Sequence, residues 1–588
     1  MCMSVAGRWL AMSCLALLAA CGGGGGGAGK GTTDANLTLS PTHATATVPQ
    51  YVGGTMTITG ALSQRPANGD TLYIGFVDSS DTFYAQADIS GGDTQFTAVL
   101  HTLPWLHPGS HAGTLTVSLC SDSTCTTPLP GYAATVAYSV DVQSPPGETH
   151  RIQPSAAGVA FASTPTGSVL SRQLYVIDNF GTSAPWTATS DSPWLLVTPS
   201  GTSDATTLTL AADPTALPSG QTSIATVTLS SPGLVGATIS VGLWKDAQTT
   251  PAQAVAHAVN ATGLARDPVR PFVYVTDGGD SLRVFNAHTA ALVRTIGGVG
   301  TQLGTVAIAP DGGHAYVLDN SVIRVVDLGT DTLSASWSLP SAILGSAPLL
   351  VIHPNGEDVV LASNGVAMAH GVVVATTDIQ GALAATDDGG VVYSMTSYSP
   401  STITAWLTSY SNANAQLYAT QAMAGTNEGG SSFHGEQIAV AGDGSYLYIA
   451  DYTGGCMRVD PVTLDFVARF TSPGPDPTSG VAVGASGNVA CGYSPLQSDG
   501  DPDIGVFSPS GTPLASFSTP SYDNGLGGGL LVASADGLVS VGAVAGIGDL
   551  IFVPMGAPSS VGGQGLALSV RGHDALHRQV ASGSSPRR

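Results

Sequence analysis

One unit of sequence recurs down the second half of the chain and leaves little choice of architecture. The segments "GLARDPVRPFVYVTDGGDSLRVFNAHTAALVRTI" (263–296), "TVAIAPDGGHAYVLDNSVIRVVDLGTDTLSASWSL" (305–339) and "QIAVAGDGSYLYIADYTGGCMRVDPVTLDFVARF" (437–470) share one grammar. Each parses into four short strands with tight turns between them. Setting the first turn of every unit in register gives Asp267, Asp311, Asn355, Asp388, Asp443, Ser486 and Asp536, at spacings of 44, 44, 33, 55, 43 and 50 residues. That is the size of one four-stranded propeller blade. A lone blade cannot bury both faces. Packing each against two neighbours around an axis covers them, and closing the ring leaves only short edges. Seven anchors predict seven blades over residues 250–570. A β-solenoid would show short hexa- or nonapeptide repeats, and the irregular spacing counts against it.

The motif "VYVTD" (273–277), echoed by "AYVLD" and "LYIAD", resembles the YVTN family of propellers, with "VVLASNG" and "VVYSMTS" departing from the signature in blades 3 and 4. The seventh unit offers three strands, "GLLVASA" (529–535), "LVSVGA" (538–543) and "GDLIFVPM" (548–555), where a blade needs four. Either "GLALSV" (565–570) or "AVAHAV" (254–259) completes it. The second is preferred, because it has no other partner before blade 1 and would tie the ends of the ring together.

Residues 35–145 alternate apolar and polar positions in "TMTITGAL", "GTLTVSLC" and "ATVAYSVDV", with Gly, Pro and Asp clusters between them. This pattern predicts one β-sandwich of immunoglobulin type. "SPPGE" (144–148) reads as a linker. Residues 150–245 repeat the β pattern. Trp194, the Val197-Thr198-Pro199 run, Gly201 and the "PTALPSGQ" turn resemble the BACON domain, an immunoglobulin-like module of bacterial envelope proteins. That resemblance permits carbohydrate contact, with Trp194 as a stacking platform, but a buried core tryptophan is the preferred role. The whole chain is thus read as all-β: two immunoglobulin-like sandwiches followed by a seven-bladed propeller.

The N-terminus supplies an address. One basic residue, Arg8, precedes an apolar run from Trp9 to Ala20, too short for a stable membrane span. Leu18-Ala19-Ala20-Cys21 resembles the lipobox of bacterial lipoproteins. The resemblance implies cleavage of residues 1–20, acylation of Cys21 and anchoring in the cell envelope, at the outer rather than the inner membrane because Gly22 follows. Residues 21–34 then read as a Gly-rich tether. The stretch 24–31 approaches a phosphate-binding loop but has Gly31 in place of the hydroxyl residue, which excludes it. Residues 571–588 read as a polar, disordered tail. The only lysines are Lys30 and Lys245 and the net charge is −23, so nucleic acid is excluded as a partner. A protein or carbohydrate ligand stays open.

Of the seven cysteines, Cys2 and Cys14 leave with the signal. Cys120 and Cys125 flank a turn in "LCSDSTC", a spacing that suits a disulfide at a hairpin end. Cys456 and Cys491 either pair or stand as buried thiols. No G-x-S-x-G, H-E-x-x-H or C-x-x-C-H motif occurs. His101, His107 and His111 are close in sequence but share no strand face, and are read as loop histidines rather than metal ligands. Asp499, Asp501 and Asp503 begin a calcium-loop pattern, but Ser510 occupies the twelfth position and Pro502 interrupts it; an acidic turn is preferred. His257, His353, His434 and Glu436 stand at blade entrances, where propeller enzymes of the lactonase or quinoprotein type place catalytic groups. The expectation is a non-catalytic, lipid-anchored scaffold without cofactor or metal, with such an enzyme as the alternative.

Overall fold

A computed structural model describes residues 36–556, apart from 67–71, 93, 166, 183, 199–205, 249–252, 257–258, 341–347, 397–400, 426–434, 442–443, 452–454, 471–477, 485–486, 495–502, 519–524 and 545–547. Nearly every element is a strand. Among the described residues the helical content is one 3-10 turn, Pro354–Gly356, and no helix is long and apolar enough to cross a membrane. The chain divides into two compact units, the first ending at Pro146 and the second beginning at Gly147.

The first unit is two four-stranded sheets around one core. One sheet runs Leu37–Ser40, Thr55–Leu62, Gln95–Thr102, Phe83–Gly91; the other runs His43–Pro49, Pro128–Gln143, Gly109–Cys120, Tyr73–Asp78. Strict alternation decides which side faces in: Met56, Ile58 and Leu62 are buried while Thr55, Thr57 and Thr59 face out. Cys120 and Cys125 are buried, with Cα atoms 5.0 Å apart, a separation a disulfide can span. Asp122 holds the turn between them, accepting bonds from the backbone N–H groups of Thr124, Thr126 and Thr127 at 2.9–3.1 Å.

The second unit begins with another pair of sheets. Five strands (Gly167–Val169, Gly158–Thr164, Ala237–Lys245, Gln221–Ser230, Thr187–Ser190) face four (Leu195–Thr198, Thr206–Ala212, Ser171–Asp178, Ile152–Pro154). Trp194 is buried in the core between them, the role preferred for it. Seven four-stranded sheets follow, and in blades 1 to 6 the strands lie in sequence order from inside to outside. The inner strands begin at Gly263, Leu303, Leu349, Ala382, Gly435, Thr478 and Leu526; each touches the next, and the seventh touches the first. The ring is a closed seven-bladed β-propeller. Blade 7 takes its outer strand from the front of the propeller: Ala254–Ala256 pairs antiparallel with Asp549–Pro554. "GLALSV" lies outside the described residues.

Each outer strand of blades 1 to 6 carries a β-bulge, near its start in five of them, for example at Val293 and Val467, and towards its end, at Ala422, in blade 4. An outer strand is an open edge, and a bulge there spoils it as a template for edge pairing. Cys456 and Cys491 lie in blades 5 and 6 with Cα atoms 6.0 Å apart, a disulfide-capable pair across the blade seam.

Candidate functional site

Among the described residues, the anchors Asp267, Asp311, Asp388 and Asp536 close the turn from the inner to the second strand of their blades. Asp311 accepts from Gly313 N at 2.8 Å, Asp388 from Gly390 N at 2.9 Å and Asp536 from Leu538 N at 3.0 Å. In these turns the glycine after the aspartate, Gly312 or Gly537, sits at φ 73°, a conformation that disfavours any side chain. These connections are five or six residues long in all seven blades. Asp443 and Ser486 lie outside the described residues.

The second sandwich is seated on these turns. Arg151 donates to the Asn355 carbonyl in blade 3. Glu148, the end of the expected linker, accepts from Asn412 N at 3.1 Å in blade 4. Tyr175 donates its hydroxyl proton to Asp388, also in blade 4, and Arg172 reaches the Ala535 carbonyl of blade 7 at 3.3 Å. A Cβ on Gly158 would overlap the Pro310 carbonyl of blade 2, and one on Gly242 the Val269 carbonyl of blade 1. These contacts fall on five consecutive blades, 7, 1, 2, 3 and 4, so the sandwich caps the face of the ring that carries these turns. One apolar cluster runs from its interior (Leu208, Val227, Ile239, Leu243) into blades 1 and 7 (Val273, Phe285, Val541, Phe552).

Ring closure is locked beneath the same cap. His288 Nε2 of blade 1 bonds Asp536 Oδ2 of blade 7 at 2.8 Å with both side chains about 1% exposed, and the Trp244 ring of the cap stacks over the imidazole at 6.3 Å. Burial pushes the Asp536 carboxyl up, but His288 and the bonds from Ser534 and Leu538 outweigh it and hold the group down at about 2.

Two exposed charged residues each stand one position before an anchor, Arg266 before Asp267 and Asp387 before Asp388. Arg266 ends the inner strand of blade 1, and Asp387 lies in the turn of blade 4, across the ring. Both are exposed. Burial pushes the Asp387 carboxyl up against the opposing pull of Arg266 and Arg172, and its exposure to solvent tempers that push. Sequence reading passed over both residues. Asp387-Asp388 is a doublet where the other turns have a single anchor, and Arg266 stands directly before the anchor Asp267.

The residues singled out from sequence fall elsewhere. His353 bonds Asp358 at 2.7 Å, and Asp358 also accepts from Tyr316 at 3.0 Å, a stitch between blades 2 and 3. Burial lowers the His353 ring, but Asp358 more than offsets this and raises it. His257 and His434 lie outside the described residues, as does the side chain of Glu436. His101 pairs with Asp88 at 2.8 Å in one sheet of the first sandwich, while His111, in the other, reaches the His107 carbonyl at 2.7 Å. Asp503 is buried between backbone bonds to Tyr493 and Phe517; Asp499 and Asp501 lie outside the described residues, as does Cys21. Among the described residues no group of three His, Cys, Asp or Glu could hold a metal ion.

No family model matches the chain, and neither does any curated protein. Solved structures similar to it include the β-propeller domain of Cps50 (Swd1) from Myceliophteria thermophila, 11% identical, with 51% of this chain and 98% of that chain covered at a TM-score of 0.39. A mitotic checkpoint complex is 17% identical, with 52% and 92% covered at a TM-score of 0.39. The propeller stands on its own sheet order and closed ring of inner strands, independently of these likenesses.

Proposed function

We propose that the chain is a lipid-anchored cell-envelope protein whose capped propeller is a non-catalytic scaffold, holding a protein or carbohydrate partner on its uncapped face. One observation carries this reading: the cap occupies the face of uniform short turns. The antiparallel strand order returns the third-to-fourth turns of blades 1 to 6, two to six residues long, to the capped face and puts the connections from second to third strand and from blade to blade on the opposite face, where they range from one to ten residues. Irregular loops on a rigid frame are where binding specificity resides. The lipobox ending at Cys21 and the glycines after it support the anchor, and a charge of −23 argues against anionic partners.

Fractionation of envelopes tests the anchor: wild type should be membrane-bound, and Cys21→Ser should accumulate as unprocessed precursor. A processed, membrane-bound Cys21→Ser chain would refute it. Photo-crosslinkers at Asp280, Gln302 or Asn320 on the uncapped face should capture the partner, whereas one at Thr330 on the capped side should not; the reverse pattern would refute the scaffold reading.

A further inference from the structure

The cap is held to the ring in two different ways. On blades 7 and 1 it shares an apolar core. Among the described residues, none from blades 3 or 4 belongs to that cluster. There the contacts are hydrogen bonds: Arg151 donates to the Asn355 carbonyl, Tyr175 to Asp388, and the Ser411 hydroxyl and Asn412 N–H to Glu148. An apolar seam resists opening because water must wet it, whereas a polar seam trades its bonds for water at small net cost. The Asn355 seat is itself held by a clasp. Asn355 stands at φ 54° between His353 and Asp358, whose Nδ1 and Oδ1 atoms are 2.7 Å apart. Asp358 Oδ2 accepts from Tyr316 of blade 2 at 3.0 Å, which ties the loop to the neighbouring blade. Other titratable groups stand around the imidazole. In blade 3, Glu357 adjoins Asp358 and bonds His370 at 2.9 Å. From blade 2, Asp311 acts on the ring through space, and His314 lies beside Tyr316. From blade 4, the turn of Asp387 and Asp388 comes against the His353 backbone at Gly389. Arg151 is the cation that the cap brings to this loop.

We propose that the cap is a lid, hinged on blades 7 and 1 and latched on blades 3 and 4, and that the proton on His353 sets the latch. The imidazolium makes a charge-assisted bond to Asp358, about twice as strong as that of the neutral ring. This bond keeps Asn355 in place under Arg151. Burial lowers the His353 ring, but Asp358, Asp311 and Glu357 outweigh it and raise the ring above its ordinary value. The added stability is therefore complete below the ordinary imidazole value of about 6.5. It is lost as pH rises through the raised value. The latch tightens in acid and loosens in base, while the core on the hinge side is apolar and has no charge to lose.

Hydrogen exchange of the full chain tests this, because exchange reads local opening segment by segment. It is measured at about pH 5.5 and about pH 8.5, on either side of an ordinary imidazole, and corrected for the intrinsic pH dependence of exchange. The Asn412 amide, which donates to Glu148, reports the latch, and the strand Ala237–Lys245 reports the hinge. Protection at Asn412 should fall about three- to tenfold at the higher pH, the loss expected when a charge-assisted bond becomes a neutral one. The hinge strand should keep its protection. His353→Gln can still donate to Asp358 but never carries the charge, so its latch should sit at the high-pH level of the wild type under both conditions. Asp358→Asn should do the same. The latch-against-hinge comparison uses the unsubstituted chain, so it stands even if a variant folds poorly. Unchanged protection at Asn412, or an equal fall at latch and hinge, would overturn the proposal. A pH-dependent fall of the same size in His353→Gln would overturn it as well.

Discussion

The two sandwiches are written in the same alternating pattern, yet they bury different things. The core of the first is built from its own strands, whereas the core of the second continues into blades 1 and 7. Their strand glycines show why. In the first, a Cβ on Gly60 would overlap the Phe96 ring, and one on Gly113 would crowd the Tyr138 hydroxyl, so these glycines make room for the domain's own side chains. In the second, Gly158 and Gly242 make room for the backbone of the propeller. A glycine in a strand thus marks a close approach, and the identity of the approaching group separates a self-contained domain from a docked one. The first can be treated as a unit in itself. The second is part of the propeller.

The sharpest way to break this contrast is at the lock under the cap. His288→Ala leaves Asp536 buried without its partner, a change that typically costs about 3–5 kcal/mol. Calorimetry of the full chain should show the transition of the second unit falling steeply while that of the first stays in place. The same pair predicts an acid limit. Asp536 is held at about 2, below the roughly 3.9 of an unfolded aspartate. Its contribution is therefore complete above about pH 4 and is lost as pH falls towards 2. The second unit should lose stability through that window, and Asp536→Asn should remove this part of the pH dependence.

The next effect comes from the docking glycine. Gly242→Ala should displace the cap strand from blade 1, at the about 1–3 kcal/mol typical of overpacking. Because cap and propeller share a core, both should melt earlier together, as a single calorimetric transition at lower temperature. Gly60→Ala in the first sandwich meets the edge of a phenylalanine ring that can turn aside, so its cost should be smaller and confined to the first unit. Separate melting of cap and propeller in the wild type would break the comparison.

Local grammar was enough for the ring. The anchors Asp267, Asp311, Asp388 and Asp536 were readable because each makes its own turn, and the closing strand at Ala254 was readable because "AVAHAV" had nothing else to pair with. The cap was not, because its contacts join residues far apart: Arg151 to Asn355, Tyr175 to Asp388, His288 to Asp536. Nothing near Gly158 or Gly242 in the chain says which backbone will approach. His353, prominent in the sequence, is tied to a neighbour five residues away.

The smallest effect belongs to the first sandwich and tests its independence. Cys120 and Cys125 are five residues apart, so a disulfide between them closes a very short loop and removes little entropy from the unfolded chain. The loop-entropy relation gives about 2 kcal/mol for so short a closure. Unreduced peptide mapping should find the two linked, and free thiols at both positions would remove the premise. The Cys120→Ala/Cys125→Ala chain should then melt a few degrees lower in its first transition only. Asp122 limits the loss further, because its hydrogen bonds to Thr124, Thr126 and Thr127 hold the turn whether or not the sulfurs are joined. Asp122→Ala in the cysteine-free background should therefore cost more than in the disulfide-bonded chain. Equal costs in the two backgrounds would mean that the turn and the cross-link do not share the work of closing this end of the sheet.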